Sequence, residues 1–386
     1  MSFFDVLLAT LLLGSIVALL QTFVLYPAEL FLINAISPSQ QTRNQSIPSV
    51  TLVIAAYNEE EVIGEKIENS LRLDYPDSKL DIVVFSDGST DRTDEIVRSY
   101  ATDGIELQRI EGRVGKTVCQ NKVVESIETD LVVFSDANSM YDPDAIEHLV
   151  EGFSEGVGCV VGELRYDGGT VDGESIYWRY ERQIKQLESD FFSLVGGNGA
   201  IYAVRRESYV SLPEDAISDF AEPLAIVRGG ERVTYEPDAV ARENTEEEIE
   251  EELSRRVRII SRSWNSLVDN LDLLNPMSRP KFAFQLFSHK VLRWLSPLFL
   301  IVALVSSGLL IYFTDWLIYR VIFSSQILFY SLAAAGWLFE VFNLDAPTII
   351  HVPHYFVISN LGMAQGLIEF LRNGPVITWE TTDRTE

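Results

Sequence analysis

Cysteine and histidine are scarce in this chain of 386 residues, which has two cysteines, Cys119 and Cys159, and four histidines. Two thiols cannot build a disulfide framework, and so few soft ligands speak against a structural zinc site. The large polar part of the chain is therefore expected to face a reducing, cytosolic compartment. Basic residues are the second deficit, with 30 Lys and Arg against 57 Asp and Glu, a formal net charge of −27. No excess of cations is available to neutralise phosphates, which argues against nucleic acid as a partner. Electrostatic attachment to anionic lipid gains no support either. An acidic, solvated surface also suits high salt, a property that carries no function.

The charge is unevenly spread. Residues 1–35 hold two acids and no base, residues 291–386 seven acids and four bases, and residues 36–290 carry 48 acids against 26 bases. An acidic domain is thus held between two apolar ends. Val6–Ala28, between Asp5 and Glu29, is free of charge and long enough to cross a bilayer at about 20 residues per crossing. No basic region precedes it and no small-residue cleavage site follows, so it reads as an anchor rather than a removed signal. Trp294–Thr314 and Val321–Phe339 form a second and third span around the turn Asp315–Arg320. Ala346–Ile368 contains His351, His354, Asn360, Gln365 and two prolines, and reads as re-entrant or interfacial as readily as spanning. Arg279, Lys281, Lys290 and Arg293 stand just before the second span, which predicts a cytoplasmic acidic domain in an integral membrane protein. Phe282, Phe284 and Phe287 alternate with those bases. They predict an interfacial helix over 276–293, with an ordinary amphipathic core helix as the alternative. Three C-terminal spans would put the tail outside; two and a re-entrant segment would put it inside.

The acidic domain reads as α/β. Residues 49–55 are apolar and β-branched and run into the polar turn Tyr57-Asn58-Glu59-Glu60, after which Val62, Ile63, Ile67 and Leu71 recur at helical spacing. Leu80–Phe85 is a second strand, ending in Ser86-Asp87-Gly88-Ser89-Thr90-Asp91, where Thr90 is a candidate helix cap. Leu131–Phe134 is a third, ending in Ser135-Asp136-Ala137-Asn138. The repetition implies a parallel sheet with right-handed crossovers, whose ligands bind beyond the carboxyl ends of the strands. All three candidate strands end in acid- or amide-bearing turns at that edge.

Gly112-Arg-Val-Gly-Lys-Thr117 mimics a phosphate-binding P-loop. The required first glycine falls at Ile110, and no strand is expected to lead into it, so an ATPase is not indicated. A carboxylate-rich edge would repel a phosphorylated ligand unless a divalent cation intervened. Asp136 and Asn138, two apart, can offer oxygen ligands to Mg²⁺ or Mn²⁺, although Asp-x-Asn is also common in plain turns.

Taken in order, Ala55-Ala-Tyr-Asn-Glu-Glu60, Ser86-Asp-Gly-Ser-Thr-Asp91, Gly112-Arg-Val-Gly-Lys116 and Ser135-Asp-Ala-Asn138 closely resemble the family 2 glycosyltransferases of GT-A fold. The likeness is greatest to the membrane-embedded group that includes cellulose, hyaluronan and poly-N-acetylglucosamine synthases. It runs from about residue 48 to 295. The resemblance implies that Tyr57 and Glu59 hold the nucleotide's base and ribose, that Asp87 contacts the nucleotide, and that Lys116 lies near its phosphates. Asp136 matches the first acid of a metal-binding D-x-D motif, from which Asn138 departs. Gly196-Gly-Asn-Gly-Ala200, with Gly197 and Asn198, resembles an acceptor loop. Ile217-Ser-Asp-Phe220 resembles the segment carrying the catalytic base, with Asp219 in the base position, Ser218 replacing an acid, and Asp215 and Glu222 competing for the role. Arg255–Trp264 falls where processive members carry Q-x-x-R-W. Here Arg258, Arg262 and Trp264 stand at a different spacing, as a diphosphate- and sugar-binding stripe or as a basic helix pairing with Glu246–Glu252.

The implied activity is inverting transfer from a nucleotide sugar, by default a UDP-sugar, to a lipid-linked or glycan acceptor at the cytoplasmic membrane face. A processive, exporting synthase is the alternative, favoured by Trp294, Pro297 and Trp379; a scaffold with a decayed domain is the third reading, favoured by Asn138 and Ser218. The expected organisation is an anchor (1–35), a cytosolic GT-A domain (36–275), an interfacial helix (276–293), membrane segments (294–372) and a tail (373–386).

Overall fold

The computed structural model describes residues 2–37, 43, 46–167, 172–244, 249–342, 344 and 346–374. Its centre is an eight-stranded sheet made of β1 (Val50–Ala56), β2 (Leu80–Asp87), β3 (Ile105–Ile110), β4 (Leu131–Asp136), β5 (Met140–Tyr141), β6 (Val157–Asp167), β7 (Ile201–Arg205) and β8 (Arg232–Asn244). The spatial order is β3-β2-β1-β4-β7-β6-β8-β5. Strands β3, β2, β1 and β4 are parallel, as the β-turn-α repetition predicts. Beyond β4 the sheet is mixed, because β7 runs antiparallel to both β4 and β6, while β6 and β8 are parallel. The purely parallel sheet expected from the sequence is therefore only its first half. Every residue of β1 is buried, as befits a central strand covered on both faces. Edge strand β3 buries only Ile105 and Ile110 at its ends. That weak pattern is why it escaped the reading of the sequence.

The helices, in chain order, are α1 (Phe3–Ile36), α2 (Ile63–Ser70), α3 (Thr93–Ser99), α4 (Lys116–Ser126), α5 (Ala145–Glu151), α6 (Asp172–Phe191), α7 (Ser218–Gly229), α8 (Ile249–Val268), α9 (Pro280–Leu286), α10 (Ser296–Phe313), α11 (Leu317–Val341) and α12 (Thr348–Asn373). Alternate residues of the strands feed two cores. Val53, Phe85, Val132 and Phe134 pack on one face with Val123 and Leu224; Leu52, Ile54, Val84 and Val133 pack on the other with Ile63, Ile67 and Leu149. Thr90 does not cap α3. The helix starts at Thr93, whose amide donates to the Asp91 carboxylate at 3.0 Å, while the Thr90 amide donates to Asn58 Oδ1 at 2.8 Å.

Helices α1, α10 and α11 are each long and apolar enough to cross a membrane. Ser2 and Asp5 open α1 with a capping box, and Leu8 and Leu12 pack on Ala303 and Leu310 of α10. Helix α12 is continuous through Pro353 and packs against α8, α11 and α6. The basic segment before α10 is docked into protein rather than laid along a surface. Phe282 and Leu286 are wholly buried in the main core, and Phe284 meets Tyr26 at 5.6 Å between ring centroids. Only Phe287 is about half exposed, at 48%. The core-helix alternative therefore describes Phe282, which the main core encloses, and Phe284, for which α1 and α6 supply the apolar partners that lipid would otherwise provide. Trp379 and Glu246 to Glu248 lie outside the described residues.

Strands β6 and β8 approach so closely at an irregularity between Val161 and Glu163 that a Cβ on Gly162 would lie 2.5 Å from the Ala239 carbonyl oxygen. Gly162→Ala should therefore cost about 1–3 kcal/mol. Gly229→Ala, with open space around it, should be close to neutral. Thermal unfolding of the two variants checks the contrast, and equal midpoints would contradict it.

Candidate active site at the carboxyl edge of the sheet

The turns after β1, β2 and β4 meet at one edge, and side chains tie them together. Asn58, at φ 52°, accepts from the Thr90 amide. The Asn58 and Glu59 amides donate to Ser89 Oγ at 3.1 Å and Thr93 Oγ1 at 2.8 Å. A cavity of about 1050 Å³ opens over this edge. Tyr57, Glu59, Lys116, Asp136, Asn138, Gly197, Asn198, Asp219, Arg258 and Arg262 all line it. Residues far apart in sequence are thus brought to one space, as the strand-end argument anticipates.

Two of the sequence-derived candidates stand outside it. Asp87 is wholly buried, and its two carboxylate oxygens accept from the Val114 amide at 2.7 Å and the Gly115 amide at 2.9 Å. It shapes the turn that delivers Lys116 rather than reaching the cavity. Trp264 packs on Trp294, centroids 5.3 Å apart, with its indole nitrogen buried and unpartnered among the described residues; it offers no face to a sugar here. The P-loop mimic also resolves. Strand β3 does lead into the 111–115 turn, contrary to expectation, but the amides that would cradle a phosphate already serve Asp87.

At the mouth of β4, the Lys116 ammonium pairs with Asp136 Oδ1 and reaches the Gly199 carbonyl at 3.4 Å. Gly199 fits closely there, since a Cβ would lie 3.0 Å from Lys116 Nζ and 3.4 Å from Asp136 Oδ2 and would press on the pair. Within the same loop the Gly197 amide donates to the Asp219 carbonyl at 2.7 Å. Asn198 braces the loop by donating to Gly162 O at 2.9 Å and accepting from the Ile201 amide at 3.0 Å. Asp219, in the first turn of α7, is half-buried. Burial raises its pKa above the ordinary aspartate range, and Asp136 adds to this, while Lys116, Arg262 and Lys290 oppose it. Its sequence rivals do not line the cavity. Asp215 accepts from Asn265 Nδ2 at 3.1 Å. Glu222 is wholly buried one turn along α7, with neither oxygen hydrogen-bonded among the described residues, and burial pushes its pKa well up. Arg262 donates to the Ala216 carbonyl, which turns its guanidinium toward the base of α7.

Behind Asp136 lies a layer that motif reading missed. Lys66 is completely buried; its ammonium donates to the Ser139 carbonyl and sits 3.9 Å from the Tyr141 ring centroid. Burial pulls its pKa down to about 7 against the opposing pull of Asp136 and Glu243. Glu243 lines the cavity and accepts from Ser139 Oγ. In the sequence Lys66 looks like any polar residue of an amphipathic helix, and Glu243 is one acid among many. Asp136 and Asn138 can offer one carboxylate and one amide oxygen to a divalent cation, and no group of three His, Cys, Asp or Glu capable of holding a metal occurs among the described residues. That donor set fits a hard cation whose remaining ligands come from a bound diphosphate and water.

Asp87→Ala removes the acceptor of two amides, each worth about 1–3 kcal/mol when left unsatisfied. Thermal unfolding should show a lower midpoint, partly restored in Asp87→Asn, which keeps one carbonyl oxygen. An unchanged midpoint in Asp87→Ala would contradict the structural role.

Comparison with known proteins agrees with this geometry. The model of the glycosyl transferase family 2 matches residues 51–210, which run from β1 through β7. The poly-beta-1,6-N-acetyl-D-glucosamine synthase of Staphylococcus epidermidis is 27% identical over 128 residues, 32% of this chain and 31% of that protein. The beta-monoglucosyldiacylglycerol synthase of Nostoc sp. is 31% identical over 120 residues, 30% of this chain and 26% of that protein. The matched part of the chain thus spans less than a third of either relative's length. Among solved structures, the mannosyltransferase PcManGT from Pyrobaculum calidifontis, in complex with GDP-Man and Mn²⁺, superposes with a TM-score of 0.74 at 18% identity, covering 96% of this chain and 99% of that one. Residues 51–210 are thus a glycosyl transferase family 2 domain, set in a GT-A fold with apolar helices at both ends.

Proposed function

We propose that the chain is a membrane-bound inverting glycosyltransferase that moves a sugar from a nucleotide-sugar donor to a lipid-linked or glycan acceptor at the cytoplasmic membrane face. The observation that carries this reading is that the Lys116–Asp136 pair and Asp219 open onto one cavity and are both tied to the 196–200 loop. Tyr57 and Glu59 stand at its sheet end, where a base and ribose would be held. The Arg113 guanidinium, 4.2 Å from the Tyr57 ring centroid, stiffens that wall. Lys116 would exchange Asp136 for the donor's diphosphate, with Arg258 and Arg262 on the same wall adding positive charge as the leaving group develops. A Mg²⁺ or Mn²⁺ ion held by Asp136, Asn138 and the diphosphate would neutralise the departing phosphates.

Asp219 is the base in this reading. It takes the proton from an acceptor hydroxyl as that oxygen attacks the anomeric carbon and the nucleoside diphosphate leaves from the opposite face. Its raised pKa suits the task, because a stronger base near the working pH accepts the proton more readily. A UDP-sugar is the first donor to test, with GDP-sugars beside it. The bases Arg279, Lys281, Lys290 and Arg293 support the cytoplasmic face. The cavity reaches Phe23 of α1 and Phe356 and Met363 of α12, which also favours a second reading, a processive synthase that passes its product toward the membrane.

Radiolabelled nucleotide sugars supplied to membranes holding the chain should label a product, and its length separates single transfer from polymerisation. Asp219→Asn should cut that labelling by about 10²–10⁴-fold while donor binding persists. In the unaltered enzyme the acid limb of kcat/KM should lie above the ordinary aspartate range, since Asp219 must be deprotonated to act and its pKa is raised. Undiminished turnover in Asp219→Asn would remove Asp219 from the role of base.

A further inference from the structure

The cavity changes character along its length. Its sheet end is polar, at Tyr57, Lys116 and Asp136, and where it meets helices α1 and α12 the apolar side chains Phe23, Phe356 and Met363 line it beside the polar Tyr355, Ser359 and Asn360. Phe23 lies within a helix apolar enough to cross the bilayer, and its ring meets Phe356 at 5.2 Å. Between the two ends stands Lys290. It lines the cavity beside the acceptor-type loop, where a Cβ on Gly196 would lie 3.5 Å from its ammonium.

The neighbouring cations are already matched. Arg293 pairs with Glu181 at 2.5 Å, His289 Nδ1 meets Glu188 at 2.7 Å, and Lys116 holds Asp136. Lys185 lies 5.5 Å from the Tyr235 ring centroid, and Arg262 donates to the Ala216 carbonyl. Lys290 makes neither a hydrogen bond nor an ion pair with any described residue. Its charge is felt by Asp219, and burial lowers its own pKa despite the partial support of Glu181 and Glu188. Lys290 is half-buried, and a half-buried ammonium without a protein partner is best completed by a ligand that supplies the counter-charge. Hydroxyl groups of a neutral glycan would leave that charge unmatched. The phosphate that links a lipid to a sugar is a diester, which brings a permanent negative charge and two free acceptor oxygens.

We propose that Lys290 anchors the phosphate of a lipid-linked acceptor, whose apolar chain runs along Phe23, Phe356 and Met363 toward the bilayer. The inference rests on the transferase reading and narrows its acceptor. Lys290 then fixes the depth at which the acceptor hydroxyl is presented to Asp219, and the amphipathic cavity selects a ligand that is anionic at one point and apolar beyond it.

The test uses the full chain in phosphatidylcholine nanodiscs and three probes: farnesyl phosphate, farnesol and inorganic phosphate. Binding is read from the fluorescence of Trp178 and Trp294, both at the cavity wall. Farnesyl phosphate should bind at least about tenfold more tightly than either other probe, the gain of one charge-assisted contact plus an apolar chain. Lys290→Gln should bring farnesyl phosphate and farnesol close together, and Lys290→Arg should keep them apart. Equal binding of farnesyl phosphate and farnesol to the unaltered chain would overturn the proposal without reference to any variant. So would a preference that survives in Lys290→Gln, or inorganic phosphate binding as tightly as the lipid. Thermal protection by UDP or GDP is measured on the same samples. Nucleotide protection without lipid-phosphate preference removes only the acceptor inference, whereas absence of protection by both nucleotides removes the transferase reading beneath it.

Discussion

The compensation of Asp136 governs the site. Parallel strands deliver their carboxyl ends to one edge, and in this chain those ends carry acids. A carboxylate there needs a counter-charge, and Lys116 supplies it from the cavity. That cation is only partly buried, at 21% side-chain exposure. Behind the edge the Lys66 side chain is held by the Ser139 carbonyl, and burial draws its pKa down to about 7 against the pull of Asp136 and Glu243, so it adds only part of a charge near neutral pH. The empty site is thus compensated mainly through Lys116, the group that a ligand's phosphates would engage. The turn that supplies Lys116 depends in turn on Asp87, whose two acceptor bonds hold the Val114 and Gly115 amides.

From this pair the structure extends in two directions. Gly199 lets the 196–200 loop lie against Lys116 and Asp136, and Gly197 fastens the same loop to Asp219. The Lys116–Asp136 pair and Asp219 are therefore joined through a few backbone atoms. Beyond Asp219, the buried cluster of Glu181, Glu188, His289 and Arg293 locks α6 to the segment before α10, and Tyr26 of α1 donates to Glu188 at 2.5 Å. A helix apolar enough to cross a membrane thus helps to set the wall of a polar cavity. The acidic domain and the apolar ends of the chain are one machine rather than an enzyme with an anchor attached.

The sequence made the strand ends, the candidate spans and the cavity residues that lie in motifs legible because each has a local signature, while the walls from β6, α6 and α12 have none. Apolar runs ending in acidic turns mark β1, β2 and β4, and charge-free stretches mark α1, α10 and α11. What it hid depends on long-range partners. The antiparallel half of the sheet follows from where the chain re-enters after α6, which no periodicity encodes. Asp87 and Trp264 carry residue types that suit ligand contact, but their atoms are taken up by the 111–115 turn and by Trp294. The rings of Phe282 and Phe284 alternate with bases as at a membrane surface, yet the main core encloses the first and α1 and α6 cover the second. Lys66 and Glu243 gain their meaning only from the turn that lies between them.

The central claim is that the edge around Asp136 receives a nucleoside diphosphate with a divalent cation. Calorimetric titration of the purified chain with UDP and with GDP, each with and without Mn²⁺, tests it most directly. The account predicts saturable binding of at least one nucleotide, strengthened by Mn²⁺ and weakened in Asp136→Ala. No binding of either nucleotide in either condition, or binding indifferent to both Mn²⁺ and Asp136, would contradict it.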